Sequence, residues 1–138
     1  MVLSATSHAA EGLVQIRSSF SAKETMDRFE EKVKQKDLIV FARINHSAGA
    51  EKVGKTLAPT ELILFGHPKT GTPLMECAQT LGIDLPLKAL VWQDAAGQVW
   101  LGYNDLHYLA KRHGVTSCPA VETLNKALAG LAALTLQP

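Results

Sequence analysis

The sequence predicts an α+β domain: a curved antiparallel sheet backed by two long helices, with short helices in the connections. Three observations carry this. Residues 21–36 and the segment after Ser117 show helical spacing of apolar residues, while five short runs rich in Ile, Val, Leu and aromatics have strand length. The run 87–104 folds back on itself around Asp94-Ala95-Ala96-Gly97, a hairpin signal. The chain has 138 residues, enough for one domain that buries a core without staples.

The elements follow in order. Residues 13–19 read as a first strand. Ser21 precedes Glu24 at capping-box spacing, and a helix follows to about residue 36, with Met26, Phe29 and Val33 as its buried stripe and Glu30–Lys34 as an i, i+4 pair. Residues 38–45 form the second strand. Ser47 is expected to cap a short helix over 48–54, and Pro59 introduces a third strand over 60–65. Thr72 and Pro73 have the chemistry of a helix start, N-cap and first residue, with Gly82 ending that helix. Residues 87–93 and 98–104 make the hairpin. Asp105 caps a short helix ending near Gly114. Ser117 and Pro119 open the last helix, striped by Val121, Leu124, Leu128 and Leu131.

If Gln93 pairs with Gln98, then Leu90, Trp92, Val99, Leu101 and Tyr103 share one face. Leu87, Ala89, Val91 and Trp100 share the other. Both faces are then apolar, unlike a half-wet antiparallel sheet. Helices can cover one face, and the other needs a second chain or a ligand. Burying about 600 Å² of apolar surface per chain there is worth on the order of 15 kcal/mol, before association costs of similar size. A homodimer is therefore expected.

Composition excludes several classes. Net charge is +1 with both signs interspersed, so no nucleic-acid stripe or membrane patch is expected. No apolar run approaches membrane-spanning length. Residues 1–12 are small and polar and lack the regions of an intact signal peptide, so they are read as a flexible tail before a single domain over 13–138. A cytoplasmic location is expected, with a periplasmic one, after removal of a signal, as the alternative. Cys77 and Cys118 are read as reduced, mostly buried thiols.

Candidate site residues lie mainly at strand ends. His46 follows the second strand and His67 the third. Lys52 and Lys69 sit near glycine-containing turns that could face an anion, and Tyr103 and Asn104 sit where a strand becomes a helix. Turn, capping and core roles explain each of these as well. The leading expectation is a dimeric module binding or sensing a small polar ligand in a cleft near His46, His67 and Tyr103, without a cofactor. One alternative is an enzyme with His46 as general base and Asn104 or Lys52 as the polarising group. Another is a metal or haem protein using His46, His67 and Met75 or Cys77. His8, His107 and His113 are read as tail and surface groups.

Four blocks carry a family resemblance: residues 40–53 (VFARINHSAGAEKV), 59–75 (PTELILFGHPKTGTPLM), 83–92 (IDLPLKALVW) and 97–105 (GQVWLGYND). With the first helix they cover roughly residues 12–114, and the chain resembles the family called domain of unknown function 302. The resemblance implies a β-α-β-β-β-β-α arrangement related to the TATA-binding-protein-like fold, with an antiparallel sheet backed by helices and frequent dimerisation. It implies no activity. His46, Pro68, Gly71, Pro73, Leu85, Pro86, Tyr103 and Asn104 match recurring family positions. His67 stands where the family usually has Asn, and Asn45 where Asp is common.

Overall fold

The computed structural model describes residues 10–138. The elements run β1 (Leu13–Ser18), α1 (Ala22–Gln35), β2 (Ile39–Asn45), α2 (His46–Lys52), β3 (Thr60–Gly66), α3 (Pro68–Cys77), a 3-10 segment (Gln79–Asp84), β4 (Leu87–Gln93), β5 (Val99–Asn104), α4 (Leu106–Arg112) and α5 (Pro119–Leu136). The strands form one sheet in the order β1-β5-β4-β3-β2, every neighbour antiparallel. The expected α+β class is therefore observed. Of the tail expected over 1–12, residues 1–9 lie outside the described residues. Ala10 accepts from the Leu13 N–H, and Gly12 accepts from the Asp105 N–H at 2.8 Å, which ties the start of β1 to the end of β5.

Helix α1 forms as its sequence dictates. The Ser21 hydroxyl accepts the Glu24 N–H at 3.1 Å, and the stripe of Thr25, Met26, Phe29 and Val33 is fully buried. Phe29 meets Phe65 edge to face at 5.2 Å between centroids, which seats the helix on the middle of the sheet. At the sheet's edge, Arg43 of β2 pairs with both oxygens of Glu61 at 2.8 and 2.9 Å and reaches Asp27 of α1 at 2.8 Å. Val121, Leu124, Leu128 and Leu131 of α5 complete the helical side of the core.

The hairpin differs from expectation by one residue. Gln93 pairs with Val99, and Trp92 with Trp100. The cause lies in the turn. Gly97 adopts φ +87°, its N–H bonds to the Asp94 carbonyl, and the Asp94 N–H then bonds to Gln98. That makes a three-residue loop with a glycine bulge, which gives one strand an extra residue. A one-residue slip moves every side chain to the opposite face. Leu87, Ala89, Val91, Val99, Leu101 and Tyr103 therefore point together into the helical core. Trp92 and Trp100 share the outer face and do not lie on opposite faces as expected.

Three further corrections concern local elements. Helix α3 begins at Pro68 with His67 as its cap, so Thr72 and Pro73 lie inside it: a proline at the first position, behind a capping side chain, starts the helix five residues before the expected point. Helix α2 begins at His46, capped by Asn45, because Ser47 is occupied elsewhere, bridging Ala58 and Thr60. Cys77 and Cys118 are joined in a disulfide rather than reduced. Their sequence separation of 41 hides that the end of α3 meets the start of α5.

Candidate functional site

The expected shared cleft does not form. Asn45 pairs with Glu61, so His46 and the α2 residue Lys52 sit where β3 begins. His67 follows the last residue of β3, and seven residues of strand separate the two histidines by about 20 Å. Antiparallel pairing of β2 with β3 forces this, because both histidines follow C-terminal strand ends and those ends point in opposite directions. Tyr103 lies on the inner face, 7% exposed, and burial, aided by the Asp105 charge, pushes its hydroxyl pKa up. Asn104 pairs with Leu13 at the far edge strand. Lys69 is the second residue of α3 and faces a groove between α3 and α5.

The alternatives fare similarly. His46 has no side-chain hydrogen bond among the described residues and lies in a different region from Asn104, so that pairing does not assemble, whereas Lys52 lies on the same short helix as His46. The metal set loses Cys77 to the disulfide and is split between the two strand ends. Among the described residues no three His, Cys, Asp or Glu side chains cluster as a metal site.

His67 and Met75 do come together, in a solvent-facing pocket of about 340 Å³ at the C-terminal end of β3. Its walls include Phe41, His67, Gly71, Met75, Leu85 and Pro86. A β-bulge between Val40 and Ala42 makes Phe41 the extra residue of β2, and its ring, 53% exposed, lies beside Gly66. The Leu85–Pro86 peptide is cis. His67 Nδ1 accepts the Lys69 N–H at 3.0 Å, and the Thr70 hydroxyl donates to the His67 carbonyl at 2.9 Å. The pocket lining contains no lysine, arginine, aspartate or glutamate. The sequence marked His67 as a turn residue and a candidate ligand group, but Phe41 looked like an ordinary strand residue, since nothing in its neighbours signals the bulge.

A second polar cluster was also missed. His113, expected at the surface, has a side chain only 8% exposed, with Nε2 2.5 Å from Asp84 and Nδ1 2.8 Å from Thr80. Arg112 contacts the other Asp84 oxygen at 2.6 Å. The cluster pins α4 to the 3-10 segment and borders no described pocket. The sequence separation of 29 between Asp84 and His113 left no local signal for it.

With this geometry in hand, the chain can be set beside known proteins. A family model described as "Domain of unknown function DUF302" matches residues 14–131. A curated relative, "Fluoride-specific ion channel FluC 1" of Brucella suis biovar 1 (strain 1330), is 46% identical over 115 residues, covering 82% of this chain and 45% of the relative. "Fluoride-specific ion channel FluC 1" of Brucella abortus biovar 1 (strain 9-941) is likewise 46% identical over 115 residues, 82% of this chain and 43% of the relative. The chain thus spans less than half the length of these curated relatives. Among solved structures, that of an uncharacterised conserved DUF302 protein from Bacillus stearothermophilus aligns with TM-score 0.74 and 20% identity, over 92% of this chain and 97% of that one. At that identity the likeness concerns the fold.

Proposed function

The chain belongs to the family described as domain of unknown function DUF302, a description that assigns no activity, and from that premise we propose a small-ligand binding module that works as a homodimer. The observation that carries this reading is the pocket at the end of β3. Its volume lies at the lower end of ligand sites, about 300–1,000 Å³, and it joins a largely apolar wall to one histidine and the threonines Thr70 and Thr72. That combination suits holding a molecule; it lacks the paired acid–base groups or activated nucleophile that a reaction requires.

The second copy is the proposed cover for the outer sheet face. Helix α1 lies on the inner face, while Leu62, Leu64, Leu90 and Trp92 outside remain partly exposed beside the more exposed Ile44. The disulfide supports an oxidising compartment, such as the periplasm, over the cytoplasm, because thiols are kept reduced in the cytosol. No helix of the described residues is long and apolar enough to cross a membrane.

The curated relatives are named as fluoride-specific ion channels, and the matching segment is less than half of each. We read the domain accordingly as a module that can be joined to a membrane transport protein. Its pocket suits an organic ligand, since an apolar wall cannot repay the dehydration of a small anion.

Two measurements test the reading. A thermal-shift screen of the oxidised protein over neutral organic compounds, organic acids and fluoride should show stabilisation by an organic compound and none by fluoride over chloride. Failure of every organic compound at millimolar concentration refutes the binding role. Light scattering should give a dimer at micromolar concentration, and a clean monomer refutes the assembly.

A further inference from the structure

This inference rests on the binding reading above and names the chemistry of the ligand. The imidazole in the β3-end pocket has a fixed hydrogen-bonding sense. While His67 Nδ1 accepts the Lys69 N–H, the ring proton resides on Nε2. Nε2 has no partner among the described residues, so it is a donor awaiting an acceptor. Thr70 cannot supply a competing donor, because its hydroxyl hydrogen is committed to the His67 carbonyl. Apart from Thr72, whose hydroxyl is neutral, the remaining wall is apolar, with Phe41, Met75 and Leu85 offering aromatic, thioether and aliphatic contacts. With no lysine or arginine in the lining, a carboxylate would be desolvated there without a counter-charge.

We propose that this pocket binds an uncharged organic carbonyl compound with a flat apolar body, its carbonyl oxygen accepting a hydrogen bond from His67 Nε2–H.

Three probes of similar size separate the contributions: acetophenone, ethylbenzene and benzoate, titrated by calorimetry into the oxidised full chain. Acetophenone should bind roughly 3- to 10-fold more tightly than ethylbenzene, the worth of one neutral hydrogen bond, and benzoate should bind more weakly than acetophenone. The variant His67→Asp keeps an N-cap acceptor for the Lys69 N–H but presents no donor. It should bring acetophenone down to the ethylbenzene level and leave ethylbenzene unchanged. Gly71→Leu places a side chain into the pocket, where a Cβ meets Leu85 only at ordinary contact distance, 3.7 Å, and should abolish binding of all three probes. Phe41→Ser, at an exposed position, provides the same check should Gly71→Leu fail to fold. Equal affinity for acetophenone and ethylbenzene, or unchanged acetophenone affinity in His67→Asp, overturns the carbonyl assignment and leaves an apolar binding site standing. Probe binding that survives both Gly71→Leu and Phe41→Ser, or no binding of any probe, overturns the site itself.

Discussion

The rings of Trp92 and Trp100 stack on the outer face of the sheet, their centroids 6.4 Å apart and their planes inclined by 19°. Trp100 is fixed from two sides. Its indole N–H donates to Asp94 at 2.8 Å, and the Arg17 guanidinium lies 5.5 Å over its ring. Trp92 is fixed by lying across Gly102. A Cβ at residue 102 would come within 2.8 Å of the Trp92 ring. Glycine is needed there for close approach, since the position has an ordinary strand backbone.

Gly102→Ala should therefore dislodge Trp92 and break the stack. Overpacking of this kind costs about 1–3 kcal/mol. The urea midpoint should fall, and the near-ultraviolet circular dichroism of the coupled indoles should shrink. An unchanged near-ultraviolet spectrum would show that the stack does not depend on the missing side chain.

The Cys77–Cys118 disulfide closes a loop of 41 residues between α3 and α5. Chain-entropy reasoning gives a loop of that size about 4 kcal/mol of stability at 25 °C. Paired Cys77→Ser and Cys118→Ser substitutions, or dithiothreitol on the natural chain, should lower the urea midpoint by a matching amount. Coincident unfolding curves for the oxidised and reduced protein would remove the staple from the account.

Local chemistry was legible for α1 but not for the caps of α2 and α3, where Asn45 and His67 took the place of Ser47 and Thr72, and remote geometry was not legible. Ser21 with Glu24, and the Met26, Phe29, Val33 stripe, specify α1 within a few residues of chain, so its start and its buried face followed directly. Five strands and two long helices followed from short-range pattern in the same way. The hairpin register hangs on one glycine bulge at Gly97, and a single residue of slip exchanged the faces of Val99, Trp100 and Leu101. At the site, His67 stood out by its position after a strand. The histidine expected beside it lies at the opposite end of that strand, because whether two strand ends meet depends on pairing direction. Phe41 and the cysteine pair depended on a bulge and on a long-range contact, and neither leaves a mark in neighbouring residues.

Asp94 makes stability depend on acid. Its carboxylate accepts the Trp100 indole N–H and the Gln98 and Ala96 N–H groups, which hold its pKa below the ordinary value of 3.8. The folded state then binds fewer protons than the unfolded state near that pH. The contribution is fully present above 3.8 and is lost as pH falls through the lower folded value. Urea midpoints between pH 2.5 and 6 should decline at the acid end for the natural chain. Asp94→Asn should start lower at pH 6 and decline less. Parallel curves for the two proteins would assign the acid sensitivity to other carboxylates, with Asp27, also held low by Lys23 and Arg43, as the next to test.

The dimer prediction turns on Leu62. It pairs with Leu90 on one side and Ile44 on the other, on the face that α1 does not cover. A charge there meets water in a monomer and an apolar partner surface in a dimer. Leu62→Lys should thus leave the fold intact, since core residues Ile63 and Phe65 point the other way, and should convert a dimer into a species of the chain mass, 14.9 kDa. An unfolded variant would mean that Leu62 belongs to the core of the single chain. A variant that remains dimeric would move the interface away from the sheet, and the exposed Ile39–Phe41 end of β2 would then be the next surface to charge.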